Sequence, residues 1–251
     1  MDGLVNGRLP RRNCAGASGK QMNDSNREQL IIAARLLRPL LRELVFVGGT
    51  VTGLLITDEA SAGPRATLDV DAIAEITSYA EYEVFGARLR ALQFQEDARE
   101  GAPLCRWVQH ETTLDVMPLD ANILGFSNRW YRAAMEFSVT ERLADDLEIR
   151  IVTGPYFLAT KLEAFKGRGQ GDFFGSHDLE DLISVVDGRA ELVEEVQASV
   201  ADLRAYMRAE INGLLNTPRF LDALPGYLLP DAASQARIDI VLRRLEALAL
   251  T

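Results

Sequence analysis

Cysteine, histidine and tryptophan are each present only twice in this chain of 251 residues. With Cys14 in a polar N-terminal stretch and Cys105 far from it, a disulfide framework is not expected. A reducing cytoplasm is the expected setting. Long apolar runs are missing as well: Leu44 to Ile56, interrupted by Gly48, Gly49 and Gly53, falls short of the roughly 18 residues that a membrane span needs. The N-terminus has no apolar h-region, so neither a secretion signal nor a membrane partner is expected. No dinucleotide fingerprint or Walker loop is spelled out, because Gly48-Gly49 lacks a third glycine and Gly167, Gly169 and Gly171 have the wrong spacing. Positive charge is short too. A net charge of −10 excludes a surface that adheres to nucleic acid everywhere. It leaves room for a local basic groove, for which Arg129, Arg132, Arg142 and Arg150, followed by Lys161, Lys166 and Arg168, are candidates. The first four read equally well as scattered solvated charges.

What is present can build a substantial core, as one large or two modest domains, since 47% of the residues are hydrophobic and 25% charged. Residues 1–29, rich in Gly, Asn, Ser and Arg, read as a mobile tail in which Met22 is an alternative start. From Leu30 an apolar stripe through Leu37, Leu40 and Leu44 marks a helix that Pro39 should kink or split. Val45 to Val47 then reads as a buried strand, Gly48-Gly49 as a turn, and Thr50 to Leu55 as a short helix. Backbone N–H groups at such a turn suit phosphate, although a plain strand-helix turn accounts for the pattern equally well.

The most informative stretch is R-A-T-L-D-V-D, Arg65 to Asp71. Asp69 and Asp71 alternate with apolar residues over Leu68 to Ile73, as on a strand whose i and i+2 side chains share one face. Two carboxylates roughly 5 Å apart repel by about 3 kcal/mol at an effective dielectric near 20. Water, a raised pKa or a cation must relieve this, and a divalent metal gives the spacing a use. A second acidic strand, Glu111 to Pro118, carries Asp115. If the two strands are neighbours, Asp69, Asp71 and Asp115 form an oxygen-only site that suits Mg2+ or Mn2+ rather than zinc. Asp120 lies past Pro118, in an expected loop. Arg65 and Thr67 would share the face of Asp69 and Asp71, Arg65 offsetting charge, contacting a phosphate, or making an ordinary ion pair.

Thr77 to Leu92 reads as a helix capped by Thr77 or Ser78. Leu104 to Val108, Thr112 to Met117, Glu136 to Arg142 and Leu147 to Val152 read as strands. In the helix expected over Pro155 to Lys166, Lys161 falls within the apolar stripe of Phe157, Leu158, Leu162 and Phe165. It must snorkel or enter a polar pocket. Ser176 can cap a further helix that buries Leu179, Leu182, Ile183 and Val186, with Asp178 and Asp181 on one face. Asp178 in the first turn has a structural role available to it at the positive helix end. The rest, to Thr251, is helical.

A Gly-Gly turn opening a helix, a D-x-D strand and a lone Asp on a later strand resemble the nucleotidyltransferase superfamily that includes polymerase β. Within it, R-x-T-x-D-x-D at Arg65 to Asp71, K-L-E-A-F-K-G-R at Lys161 to Arg168 and H-D-L-E-D-L at His177 to Leu182 are similar to the AbiEii/AbiGii abortive-infection toxins and the related MenT toxins. The resemblance runs over Val45 to Asp187. It implies an α+β (α/β) fold with a mixed sheet flanked by helices: a catalytic domain over residues 30–153 and a mostly helical C-terminal domain over residues 154–251. It implies transfer of a nucleoside monophosphate from an NTP to an acceptor hydroxyl, on tRNA or another RNA, by the toxin of a toxin-antitoxin pair with a cognate antitoxin protein. Asp69, Asp71 and Asp115 would hold Mg2+ or Mn2+, with Gly48, Gly49, Thr50, Arg65, Thr67 and Lys161 at the nucleotide. Lys161 would bind phosphate together with Asp178 or Asp181, His177 standing where that family often has arginine. A small-molecule nucleotidyltransferase of aminoglycoside type, or a catalytically silent binding module on the same fold, is the alternative.

Overall fold

The computed structural model describes residues 25–169 and 171–251; most of the expected tail, with Cys14 and Met22, lies outside the described residues, as does Gln170. Helix α1, Ser25–Leu36, begins within the stretch expected as tail and buries Leu30, Ala33 and Ala34 completely. It ends because Pro39 cannot donate into an α-helical ladder. The chain tightens instead into a 3-10 helix, Arg38–Glu43, with the proline in its first turn.

Seven strands form one mixed sheet: β1 Leu44–Val47, β2 Val70–Ala74, β3 Gln95–Glu96, β4 Arg106–Gln109, β5 Thr112–Met117, β6 Val139–Ala144 and β7 Leu147–Ile151, in the order β3-β4-β5-β2-β1-β7-β6. β1 runs antiparallel to β2, while β2 and β5 are parallel, as are β1 and β7. The outer pairs are hairpins. β1 is buried along its whole length, as a central strand covered on both faces must be.

Helices flank the sheet. Thr52–Leu55 (α2) follows a 3-10 turn at Gly49–Val51. Tyr79–Ala91 (α3) is capped by Ser78, whose side chain accepts from the N–H of Glu81. Ala121–Leu124 (α4) is capped by Asp120, so that residue has a structural use. Tyr131–Glu136 (α5) occupies ground where a strand was expected from Glu136. β6 begins only at Val139, once the helix has closed with the Phe137 N–H bonded to the Ala133 carbonyl.

Gly154–Arg168 (α6), opened by Pro155, packs along His177–Gly188 (α7), which in turn touches α2. Ser176 caps α7 as expected, and Leu179, Leu182, Ile183 and Val186 are fully buried. Truncating one of these, Leu182→Ala for example, would cost about 2–5 kcal/mol. Leu192–Gln197 (α8), Ala201–Leu215 (α9), Pro218–Ala223 (α10), Ala232–Gln235 (α11) and Ile238–Leu248 (α12) complete the chain. A single hydrophobic cluster extends from Leu30 to Ala249. At its edge the Gly188 carbonyl accepts from the N–H groups of Thr57 and Asp58 at 2.8 Å, and Arg237 bridges Asp58 and Asp187. These bonds fix α7 against the loop that leads to the acidic motif. No helix of the described residues is long and apolar enough to cross a membrane.

Candidate active site

The turn after β1 sets the geometry. Val47 pairs with Asp71 across the antiparallel β1–β2 ladder, so the next residue, Gly48, arches over the Asp71 side chain. Gly48 has φ +72°, and a Cβ there would stand 1.9 Å from Asp71 Oδ2, so glycine is required twice over. Across the parallel β2–β5 pair Asp71 is the register partner of Asp115, which puts the two carboxylates on one face of the sheet. Asp69 lies just ahead of β2 rather than within it, because the ladder starts at Val70. The Thr67 hydroxyl donates to Asp69 Oδ1 at 2.9 Å, and that loop is fixed from α1: the Asn26 side-chain amide donates to the Arg65 carbonyl while its oxygen accepts from the Thr67 N–H. The neighbouring strands bring Asp71 and Asp115 together, whereas Asp69 reaches them from the loop ahead of β2.

Their relation to cations is less simple than expected. Among the described residues no three carboxylate, imidazole or thiol side chains are grouped as a metal site. Arg106, opposite Asp115 on β4, instead takes up two of the three carboxylates. Its Nε donates to Asp115 Oδ1 at 2.8 Å, and its Nη2 to both Asp115 Oδ2 at 2.7 Å and Asp69 Oδ2 at 2.8 Å. A lone arginine in a strand has no distinctive spacing, which is why the motifs passed it over. The hairpin count could have found it. A two-residue turn at His110 and Glu111 pairs Gln109 with Thr112, and counting back along both strands puts Arg106 opposite Asp115.

Asp71 receives nothing from Arg106, and its carboxylate accepts no hydrogen bond among the described residues. Burial, then the charge of Asp69 and, further down, that of Asp115 raise its pKa to about 7, against the pull of Lys161 and Arg168. A half-buried carboxylate beside two others, accepting no hydrogen bond among the described residues, suits a divalent cation, and the all-oxygen donor set suits Mg2+ or Mn2+. Cys105, beside Asp115 and Asp71, has its thiol pushed up to about 12 by burial first and those charges second, so it stays protonated.

A second cluster lies on α6 and α7. Lys161 does not snorkel. Its Nζ donates to Asp181 Oδ2 at 2.6 Å and to Asp178 Oδ1 at 3.3 Å, so both aspartates belong to one network. Burial alone would lower the lysine's pKa, but Asp181 and Asp178 more than offset that and it is raised. Asp178 also takes a two-pronged contact from Arg168, at 2.8 and 3.0 Å. Burial works against its charged form, yet Arg168 and Lys161 leave its pKa lowered. Asp181, 1% exposed, accepts from Arg65 on its other side. Arg65 is therefore engaged in an ion pair away from Asp69 and Asp71. Arg168, a candidate for the basic groove, and Tyr131, which the sequence did not single out, face the same region: the field of Asp71 reaches both, and burial first and that charge second raise the Tyr131 pKa.

The remaining candidates sort clearly. Gly49 and Thr50 follow Gly48 in the turn, but Thr50 is buried with its hydroxyl unpartnered. His177 is exposed and is paired with Glu180 on its own helix. Arg142 pairs with Glu148, and Arg150 is used on the Met135 carbonyl and Ser138, so these two form no basic groove with their neighbours. Arg129 stacks on Trp130 and Tyr206.

No known family model matches the chain. No curated protein matches it either. Among solved structures it is similar to an antigenic nucleotidyltransferase-like protein from Paracoccidioides brasiliensis, at 18% identity over 80% of this chain and 92% of that one, with a TM-score of 0.46. It is also similar to JHP933 from Helicobacter pylori, at 12% identity over 91% of this chain and 92% of that one, with a TM-score of 0.47.

Proposed function

We propose that this protein is a divalent-metal-dependent nucleotidyltransferase, moving a nucleoside monophosphate from an NTP to an acceptor hydroxyl. One observation carries the reading: Asp71, without a hydrogen bond of its own, sits in register with Asp115, beside Asp69 and directly under the Gly48 backbone. Asp69, Asp71 and Asp115 would hold Mg2+ or Mn2+, which when bound supplies positive charge at the α-phosphate and acidifies the acceptor hydroxyl. The chain's own residues do the rest. The side-chain-free turn at Gly48 and Gly49 lets a triphosphate come up to Asp71. Asp115 is the carboxylate that receives the acceptor's proton. Arg168, 74% exposed and held by Asp178, presents its guanidinium on the side of the cleft where Lys161 lies buried. Fixed donors of this kind stabilise charge that builds up on transferred phosphate.

The acceptor in this reading is RNA, tRNA ends above all, and the protein acts as the toxin of a toxin-antitoxin pair; the sequence resemblance supports this. The test is incubation with α-labelled NTPs, Mg2+ and total RNA, alongside D71N and D115N variants. Label on RNA that both variants abolish supports the reading. Label that appears only on an added aminoglycoside would replace the acceptor, and no label on either would overturn the transferase.

A further inference from the structure

The guanidinium of Arg106 stands where a cation between Asp69 and Asp115 would stand. A single nitrogen, Nη2, is 2.8 Å from Asp69 Oδ2 and 2.7 Å from Asp115 Oδ2. A divalent ion bridging the same two oxygens would need that place, at the shorter metal–oxygen distance of about 2.0–2.1 Å for Mg2+. The two positive groups cannot share it. The arginine side chain is 21% exposed, so it has an edge open to solvent along which to withdraw, while Asp115 is nearly enclosed. Asp71, the register partner of Asp115, accepts no hydrogen bond among the described residues, so the guanidinium neutralises the site only in part.

We infer that Arg106 is an internal counter-ion that holds Asp69 and Asp115 in place in the metal-free protein and is displaced from them when the divalent cation binds. Arg106 is thus a positioning residue whose contacts compete with the metal, and the apparent metal affinity is set by that competition. This rests on the metal-dependent reading above. Without metal, the guanidinium keeps carboxylates together that would otherwise repel. With metal, the same task passes to the ion and Arg106 becomes dispensable for stability.

Two measurements on the full chain test this, both with Mn2+ as the probe. In calorimetric titrations, R106Q should bind Mn2+ at least about tenfold more tightly than wild type, with R106K between them because an ammonium keeps the charge but not the two-pronged fork on Asp115. In thermal melts, R106Q and R106K should fall below wild type without metal, and the gap should close at saturating Mn2+. A merely structural arginine would leave the gap open. Variants that bind Mn2+ no more tightly than wild type, or a melting deficit that persists with metal, would overturn the inference alone, provided that D71N abolishes wild-type binding. If the wild type binds no Mn2+, the metal-dependent reading and this inference fall together.

Discussion

Gly48 lies so close to Asp71 that a β-carbon on it would be 1.9 Å from Oδ2, well inside any contact two such atoms tolerate. Its backbone, φ +72° and ψ −162°, is also one that only glycine adopts easily. Gly48→Ala should therefore cost more than about 2 kcal/mol and lower the melting temperature by roughly 5 °C or more. Nucleotidyl transfer should be lost even where the variant still folds. Gly49→Ala, whose added carbon would meet the Thr67 and Arg65 side chains no closer than 3.2 Å, should be milder. Equal melting and activity for wild type and Gly48→Ala would refute the fit.

The raised pKa of Asp71, about 7, has a definite sign. The folded chain holds a proton there that the unfolded chain releases near its ordinary 3.8. The metal-free fold therefore loses stability through this group as pH rises from about 4 to 7, by up to about 1.4 kcal/mol per unit. D71N removes the charge. It should melt above wild type at pH 8 without metal, and the gain should shrink toward pH 5. A gain that is flat with pH, or reversed, would contradict the assignment.

Metal binding should displace the same proton. Titrating Mn2+ at pH 6 in buffers of different ionisation enthalpy should reveal proton release that fades by pH 8.5, with apparent affinity falling as pH drops below about 7. Proton release that is absent at pH 6 would mean that Asp71 is not a ligand.

Lys161 stands between two buried carboxylates, so removing it leaves Asp178 and Asp181 underpaired. K161M should destabilise by about 3–5 kcal/mol, and K161M with D181N should recover part of that loss, a coupling that a double-mutant cycle in urea would measure. Additive losses would show that the contact at 2.6 Å carries no coupling.

Much of this site could be read from residue order. Alternation placed Asp71 and Asp115 on strands, and the apolar stripe around Lys161 made its inward direction one of two options. Asp69 fell outside its strand because the ladder starts at Val70, and nothing in a D-x-D pattern marks where pairing begins. Arg65 and Arg106 exchanged roles for a similar reason. Sequence nearness put Arg65 beside Asp69, whereas tertiary packing gave Arg65 to Asp181, 116 residues away, and hairpin register gave Arg106 to Asp115, from where it also reaches Asp69. Local spacing reports which face a side chain takes, and only the assembled sheet decides its partner.

Asn26, in the first turn of α1, grips both the Arg65 carbonyl and the Thr67 N–H. The front end of this helix is therefore a handle on the loop that carries Thr67 and Asp69. A binding protein that twisted Ser25 and its neighbours would disturb the loop that carries Asp69 from a distance, without entering the cleft.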